Sequence, residues 1–312
     1  MLQVFGKTFK TFHELRRALP NERACIKFLE ELLWNGVPVS PFDKTSQVYK
    51  CGHGRYKCKN TGKYFNVKTG TIFENTKVGL DIWFEAIYIT TTGKGKSANS
   101  LAEDLDVTPK TAALMLKKIR IALGIDNNNV LDGEVEFDET YVGGKNKNRH
   151  KDKKVKNSQG RSYKDKTPVF GMIQRGGKLN AWVVPDVQAK TLTPIILKYV
   201  KNSAQLFTDE WTGYKELPKY YQHHEIVEHG KGQYVKDKAY TNTMEGAWNL
   251  LKKMINGIHH HVSSKHLQGY VNSWIFCYNE RKSEAIEKFA YGIMFCGECK
   301  ITCAEVVSGH GY

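Results

Sequence analysis

The sequence lacks the features that define membrane, secreted and disulfide-rich proteins. No apolar run approaches the roughly 20 residues needed to cross a bilayer. Charges interrupt the N-terminal stretch MLQVFGKTFKTFHELRRAL before a secretory core can form. The seven cysteines are odd in number, which argues against a disulfide framework. We therefore expect a soluble cytoplasmic protein without a membrane-spanning segment.

Acidic residues are also scarce relative to basic ones. The chain has 32 Asp and Glu against 47 Lys and Arg, a formal net charge of +15. Such a surplus predicts a polyanionic partner, most commonly nucleic acid. The alternative is a solvated cationic surface with no partner. The 312 residues, 40% of them hydrophobic, are enough for about two or three domains with a sizeable core.

The first 75 residues predict two small modules. Apolar positions at helical spacing indicate a helical lead-in over residues 1–36. Residues 37–75 have short aromatic and β-branched runs between turn residues, which predicts a small β-module. A zinc ribbon requires two C-x-x-C pairs, and these are missing here. Cys51, His53 and Cys58 could supply three ligands, but we favour a β-ribbon that folds without zinc.

Residues 76–126 return to a helical period. Ser97 or Asn99 is suited to cap one helix, and Pro109 suits the first turn of the next. Two short helices joined by a tight turn are typical of a helix-turn-helix DNA-binding domain, although helical hairpins also serve only for packing. The candidate DNA-binding residues of the second helix are Lys110, Lys117, Lys118 and Arg120.

From residue 130 to 290 the pattern is mixed α/β. Strand-like runs are VEFDETYV, PVFGMIQ, NAWVVPD, AQLFTDEW and HEIVEH, and helical runs are TLTPIILKYV, NTMEGAWNLLKKMI and KHLQGYVNSWIFCYNERK. Three successive strands, then a helix, a strand and further helices predict an α/β sheet with an antiparallel part.

Three acidic residues are distinguished by their placement. Period-two alternation puts Asp138 on one face of the first strand, and Asp209 directly follows an apolar strand, where ligand sites gather. Glu245 shares one helical face with Asn242 and Lys252. Converging carboxylates would repel one another unless divalent cations lay between them. Mg²⁺ or Mn²⁺ suits such ligands, and a pair of these ions is the usual arrangement for displacement at phosphorus.

The motifs EVEFDETYVGG, TPVFGMIQRGGK, VVPD, LFTDEWTGY, YTNTMEGAWNLLKKMINGIHHHVSSKHLQGYVN and YNER resemble successive blocks of an insertion-sequence DDE transposase. The group concerned has a zinc ribbon, a helix-turn-helix and a ribonuclease H-like catalytic domain, and is related to Merlin transposons. The resemblance extends from about residue 20 to 290 and keeps the order of the motifs. It implies a ribonuclease H-like mixed sheet with flanking helices, preceded by a degenerate zinc ribbon and a helix-turn-helix.

The resemblance also implies roles for individual residues. Asp138 and Asp209 would be the first two catalytic acids and Mg²⁺ ligands, Glu245 the third, and Lys252 a contact to DNA phosphate. Asn242 is the alternative third ligand, because some members of the group use asparagine there. We favour Glu245, since a carboxylate binds a divalent ion more strongly than a carboxamide does.

The ribbon of the family normally carries four cysteines, which here would fall on Ser40, Asp43, Cys58 and Thr61. Three of these four positions are not cysteine. The ribbon therefore either folds without metal or belongs to a decaying module. Residues 291–312 form a predicted C-terminal tail, where Cys296, Cys299 and Cys303 offer one ligand fewer than a closed zinc site needs. We read them as packing or incidental thiols.

Two further segments attract attention. Residues 145–166 hold ten Lys or Arg and two Asp, typical of a solvated loop. We expect this segment to contact DNA phosphate through residues that include Lys145, Lys147, Arg149, Lys153 and Lys154. The cluster IHHHVSSKH follows the third acid, and His261 is the histidine that we place near the site.

The sequence thus predicts a bacterial transposase that binds terminal inverted repeats and catalyses metal-dependent cleavage and strand transfer. Its expected partners are double-stranded DNA of the transposon ends and the target, with two Mg²⁺ or Mn²⁺ ions in each site. It would act as a homodimer or larger assembly, associated with the nucleoid. Two alternatives stay open: a domesticated or decayed transposase that binds DNA without catalysis, and a ribonuclease H-like nuclease.

Overall fold

The computed structural model describes residues 10–52, 54–143, 166–227 and 242–308. Its contacts divide the chain into two compact units, each described here by itself. The first unit combines Met1–Ile125 with Lys282–Tyr312, and the second is Asp126–Arg281. None of the helices within the described ranges is long and apolar enough to cross a membrane.

Helices and strands cover most of the described chain. In chain order, the helices are α1 (Phe12–Ala18), α2 (Glu22–Trp34), α3 (Leu80–Thr92), α4 (Ala98–Leu105), α5 (Pro109–Ala122), α6 (Ala189–Tyr199), α7 (Asn242–Met254), α8 (Leu267–Asn279), α9 (Ala285–Glu298) and α10 (Cys303–Ser308). The strands are β1 (Val48–Cys51), β2 (Arg55–Cys58), β3 (Tyr64–Phe65), β4 (Glu134–Val142), β5 (Thr167–Gln174), β6 (Leu179–Val183), β7 (Gln205–Asp209) and β8 (His224–Val227).

Local sequence signals set the ends of α4 and α5. The Ser97 side chain accepts a hydrogen bond from the Ser100 amide and caps α4, so Ser97 rather than Asn99 is the cap. Asp106 adopts a left-handed conformation, with φ of 50°, where α4 ends. Thr108 then caps α5, which has Pro109 in its first turn as predicted. The two predicted helices are present, and their DNA-binding role stays a prediction.

Helix α9 belongs to the first unit. Phe289 packs against Phe28 of α2 and Phe84 of α3, with ring centroids 5.9 and 5.7 Å away. A side chain at Gly292 would meet Thr91 of α3, because a Cβ there would lie 2.6 Å from its methyl group. The sequence predicted a boundary at residue 290 between a catalytic domain and a tail. The structure instead keeps α9 whole, since its apolar face covers α2 and α3.

Strands β1, β2 and β3 form a small antiparallel sheet within the segment predicted as a β-module. Its core consists of Tyr56, Cys58 and Phe65, with Trp34 of α2 packed against them. Two aromatic contacts from Trp34, 5.3 Å to Tyr56 and 6.0 Å to Phe65, tie the sheet to α2. The small core of the sheet is therefore completed by a side chain from a neighbouring helix.

Cys58 lies among hydroxyl groups at the place predicted for ribbon ligands. Burial acts to raise the pKa of its thiol, but hydrogen bonding with Ser40, Ser46 and Thr61 outweighs burial and lowers the pKa to about 6. Asp43 instead accepts hydrogen bonds from Thr45 and Asn60. Of the four positions predicted for ribbon ligands, Ser40, Cys58 and Thr61 therefore lie together, and two of these three carry hydroxyl groups. His53 lies outside the described residues, and Cys51 is only half-buried.

The second unit is built on a five-stranded sheet of order β6-β5-β4-β7-β8. The pairs β4–β5 and β5–β6 are antiparallel, whereas β4–β7 and β7–β8 are parallel. The prediction of an α/β sheet with an antiparallel part is therefore confirmed. Strand β4, which carries the run of acids, is the central strand.

Each face of this sheet is covered by helices. On one face, Phe137 and Leu206 pack with Leu192 and Ile196 of α6. The opposite face packs against α7 and α8, whose buried side chains include Met244, Trp248, Leu251, Val271 and Trp274. The buried side chains of α7 form one apolar stripe along the helix, and polar residues occupy the adjacent stripe.

Candidate active site

Asp138 and Asp209 are brought together by the parallel pairing of β4 with β7. The register pairs Glu134 with Gln205 and Glu136 with Phe207. Two residues further along both strands, the same register places Asp138 beside Asp209 at the carboxyl end of β7. This is the edge at which open α/β sheets bind their ligands.

Glu139 adds a third carboxylate to this edge. Oxygens of Asp138, Glu139 and Asp209 all lie within 4.8 Å of one another, in an arrangement that could hold a metal ion. Glu139 also accepts a hydrogen bond from the hydroxyl of Tyr214, a fully buried residue in the short 3₁₀ turn Thr212–Tyr214. The sequence did not single out Glu139 as a ligand, because strict alternation assigns it to the face opposite Asp138.

The environment of Asp138 disfavours its charged form. Burial raises its pKa to about 7, and the neighbouring charges of Asp209 and Glu245 act in the same direction. Hydrogen bonds oppose this rise: the Glu139 amide donates to Oδ1 at 2.8 Å, and Trp248 Nε1 donates to Oδ2 at 3.1 Å. A cation at this site would reverse the effect of burial and repulsion, since opposite charge favours the ionised carboxylate.

Helix α7 completes a cavity of about 510 Å³. The side chains that line it come from β4, from β7 with its following turn, and from α7: Asp138, Glu139, Thr140, Asp209, Glu210, Trp211, Glu245, Trp248, Asn249 and Lys252. All four residues predicted as catalytic are therefore in one cavity. Asn242, at the start of α7, and His261, which is exposed, are not among the lining residues.

The candidate DNA-binding residues of α5 have different environments. Lys110 is exposed and Lys117 is half-buried. Lys118 is only 6% exposed and donates to the Ile72 carbonyl at 2.9 Å, and Arg120 is only 7% exposed. The structure thus leaves Lys110 and Lys117 as the cations of α5 that face solvent. Lys145, Lys147, Arg149, Lys153 and Lys154 lie outside the described residues.

Comparisons with known proteins agree with this arrangement. Residues 130–279 match the family model of the ISXO2-like transposase domain. The match runs from just before β4 to the end of α8, so it includes every residue that lines the cavity. Over these residues the chain is similar to ISXO2-like transposase domains.

A relative extends the likeness beyond that domain. The chain is 28% identical over 266 residues to an "uncharacterized protein in transposable element ISH50" from Halobacterium salinarum, covering 81% of this chain and 90% of the relative. The two findings together support an insertion-sequence transposase. The matched residues 130–279 lie within the second unit, and the likeness to the relative extends beyond that unit.

Proposed function

We propose that this transposase cleaves and joins DNA with divalent metal ions held by Asp138, Asp209 and Glu245. One observation carries the proposal: three acids from three separate elements line a single cavity with Lys252. Their sequence positions are far apart, and the fold brings them to one edge of the central strand. A transposase domain acts on DNA, whose phosphodiester bonds are the substrate that such a cavity suits.

The donor groups fit a hard divalent cation. The grouped ligand atoms of Asp138, Glu139 and Asp209 are carboxylate oxygens, which Mg²⁺ and Mn²⁺ prefer. Burial and then repulsion from neighbouring acids raise the pKa of Asp138 to about 7, and a bound positive charge would oppose both effects. When bound, a pair of such ions activates an attacking hydroxyl and stabilises the leaving oxygen at phosphorus.

Other residues of the cavity orient these acids. Trp248 donates to Asp138, and its own ring stacks on Trp274 with centroids 5.2 Å apart, which holds the donor in place. Tyr214 holds Glu139 in the same way from the other side of the sheet. Lys252 lies about two turns beyond Glu245, on the same side of α7, and we assign it to a DNA phosphate beside the reacting bond.

We favour Glu245 over Asn242 as the third acid. Glu245 lines the cavity, and its charge acts on Asp138, whereas Asn242 does not line the cavity. DNA binding would use the net charge of +15, with Lys110 and Lys117 of α5 and the basic segment 145–166 as phosphate contacts. Two transposon ends have to be joined together, so we expect a dimer or larger assembly on DNA.

The test uses the purified full chain, labelled duplex DNA from the ends of the element that encodes it, and Mg²⁺ or Mn²⁺. Wild type should cleave the ends and join them to target DNA, and the Asp138→Asn variant should do neither. Cleavage without joining would favour the nuclease alternative. Binding of the ends by wild type with no cleavage would refute the enzyme and favour a non-catalytic DNA-binding protein.

A further inference from the structure

Glu136 is a fully buried carboxylate with no part in the proposed chemistry. It lies two residues before Asp138 in the central strand, on the same face, and its side chain is 0% exposed. Burying a charged group costs several kcal/mol unless partners compensate it. The nature of those partners therefore indicates why the sheet carries this acid.

The partners of Glu136 come from two different elements. Oε1 accepts hydrogen bonds from Arg175 Nε at 2.7 Å and from the Thr243 hydroxyl at 2.8 Å. Oε2 accepts from the backbone amide of Met244 at 3.0 Å. One carboxylate thus connects the cation at the end of β5 with the first turn of α7.

Arg175 is itself held firmly. Its side chain is 11% exposed, pairs also with Glu134 at 3.1 Å, and lies over the ring of Phe207 at 3.9 Å. Arg175 therefore neutralises the charge of Glu136 from a fixed position, and it does not line the cavity. The remaining hydrogen-bonding capacity of Glu136 is then directed to α7.

A carboxylate stabilises a helix most when it binds the first turn. Its amides have no partners within the helix, and the helix dipole favours a negative charge there. Met244, whose amide donates to Glu136, directly precedes Glu245. The bond that holds this amide therefore fixes the backbone position from which the Glu245 side chain extends.

A second contact, one turn later, defines the same geometry. Trp248 Nε1 donates to Asp138 at 3.1 Å, so α7 is attached to β4 at two successive residues of one strand face. Gly171, which pairs with Asp138 from β5, allows the close approach, since a Cβ there would lie 2.4 Å from Met244 and 2.7 Å from Trp248. An apolar side chain at position 136 would fill space but would not fix the rotation of α7 about its axis.

We propose that Glu136, neutralised by Arg175, is a positioning residue that holds the first turn of α7 so that Glu245 faces Asp138 and Asp209. The role rests on the proposed function, because it concerns the ligands of the same cavity. It predicts that Glu136 sets the affinity for divalent metal. Residues that orient metal ligands typically change affinity or activity by about 10–100-fold when they are replaced.

The test measures Mn²⁺ binding to the full chain without DNA, by the electron paramagnetic resonance signal of free Mn²⁺. Glu136→Gln keeps the shape but loses the charge and one acceptor, and should raise the Kd for Mn²⁺ about 10–100-fold. Glu134→Gln is the matched control, because Glu134 also pairs with Arg175 but, within the described residues, accepts no hydrogen bond from α7. It should stay within about twofold of wild type.

A milder variant, Thr243→Val, provides the test if Glu136→Gln does not fold. It removes one of the three hydrogen bonds that Glu136 accepts and keeps the charge pair of Glu136 with Arg175, so it should raise the Kd for Mn²⁺ by an intermediate factor. A lower melting temperature with an unchanged Mn²⁺ affinity would show a structural role only and overturn the inference.

Asp138→Asn separates this inference from the proposed function. If that variant loses Mn²⁺ binding while Glu136→Gln and Thr243→Val keep wild-type affinity, the inference fails and the metal site stands. If wild type binds no Mn²⁺, or binds it only as weakly as Asp138→Asn does, both the proposed function and the inference about Glu136 fail. A selective loss of affinity in Glu136→Gln, with Glu134→Gln unaffected, supports both.

Discussion

Replacing Asp138 by asparagine should stabilise the metal-free protein at alkaline pH, although the same change should abolish cleavage. In the folded chain, burial and then the charges of Asp209 and Glu245 raise the pKa of Asp138 from 3.8 to about 7. The folded state therefore holds a proton more tightly than the unfolded state does. The stability that this provides is complete below about pH 4 and is lost as the pH rises toward 7.

The magnitude follows from the two pKa values. A difference of about 3 units corresponds to about 4 kcal/mol, which the ionised carboxylate costs the folded protein above pH 7. Asparagine avoids this cost but has one acceptor oxygen, whereas both oxygens of Asp138 accept hydrogen bonds, from the Glu139 amide and from Trp248. The lost bond costs about 1 kcal/mol. The variant should therefore be about 3 kcal/mol more stable than wild type at about pH 8 and about 1 kcal/mol less stable at about pH 4.

Urea unfolding in the presence of a chelator, at pH values from about 4 to 8, measures this difference. Glu210→Gln is the control, because Glu210 is an exposed acid that lines the same cavity, and it should change stability by less than about 0.5 kcal/mol. A difference between wild type and Asp138→Asn that does not vary with pH would refute the reasoning, as would a variant that is less stable at pH 8. Added Mn²⁺ should stabilise wild type and not the variant.

Three further predictions concern other parts of the chain. Gly171→Ala should destabilise the protein by about 1–3 kcal/mol in urea unfolding, because its Cβ would lie 2.4 Å from a side chain of α7. Lys110→Ala should weaken DNA binding and lower the salt dependence of log Kd by about one, whereas Lys118→Met, at a buried position, should leave that slope unchanged. Since hydrogen bonding lowers the pKa of the Cys58 thiol to about 6, the stability of wild type relative to Cys58→Ala should rise between about pH 6 and 9.

The strands and helices of the second unit were predictable because their local signals agree with their final environment. All five strand-like runs correspond to β4–β8, and the runs assigned to helices correspond to α6, α7 and α8. A strand buried on both faces, such as β5, has a nearly continuous apolar sequence, and a helix on the sheet surface keeps one apolar stripe. The pairing order and the register depend on contacts between distant residues, so spacing alone does not specify them.

Burial of charged side chains was the main feature that sequence patterns missed. Lys118 and Arg120 read as part of a basic recognition helix, yet both are buried in the first unit. A count of charges does not reveal that α5 is covered on more than one side, because the covering elements come from other parts of the chain. Glu136 shows the same limit, since its partners lie 39, 107 and 108 residues away.

The acids of β4 can now be distinguished by what neutralises them. Glu134 and Glu136 share Arg175, and Glu136 also binds the first turn of α7. Asp138 accepts hydrogen bonds but has no cation among the partners that shift its pKa, which rises accordingly. Within this strand, Glu136 has both an internal cation and bonds to α7, and we propose that it holds the helix in place. Asp138 lies where burial disfavours its ionised form, and we propose that it binds a cation from solution. A cation bound in this cavity would offset the cost of ionising Asp138 in the metal-free site.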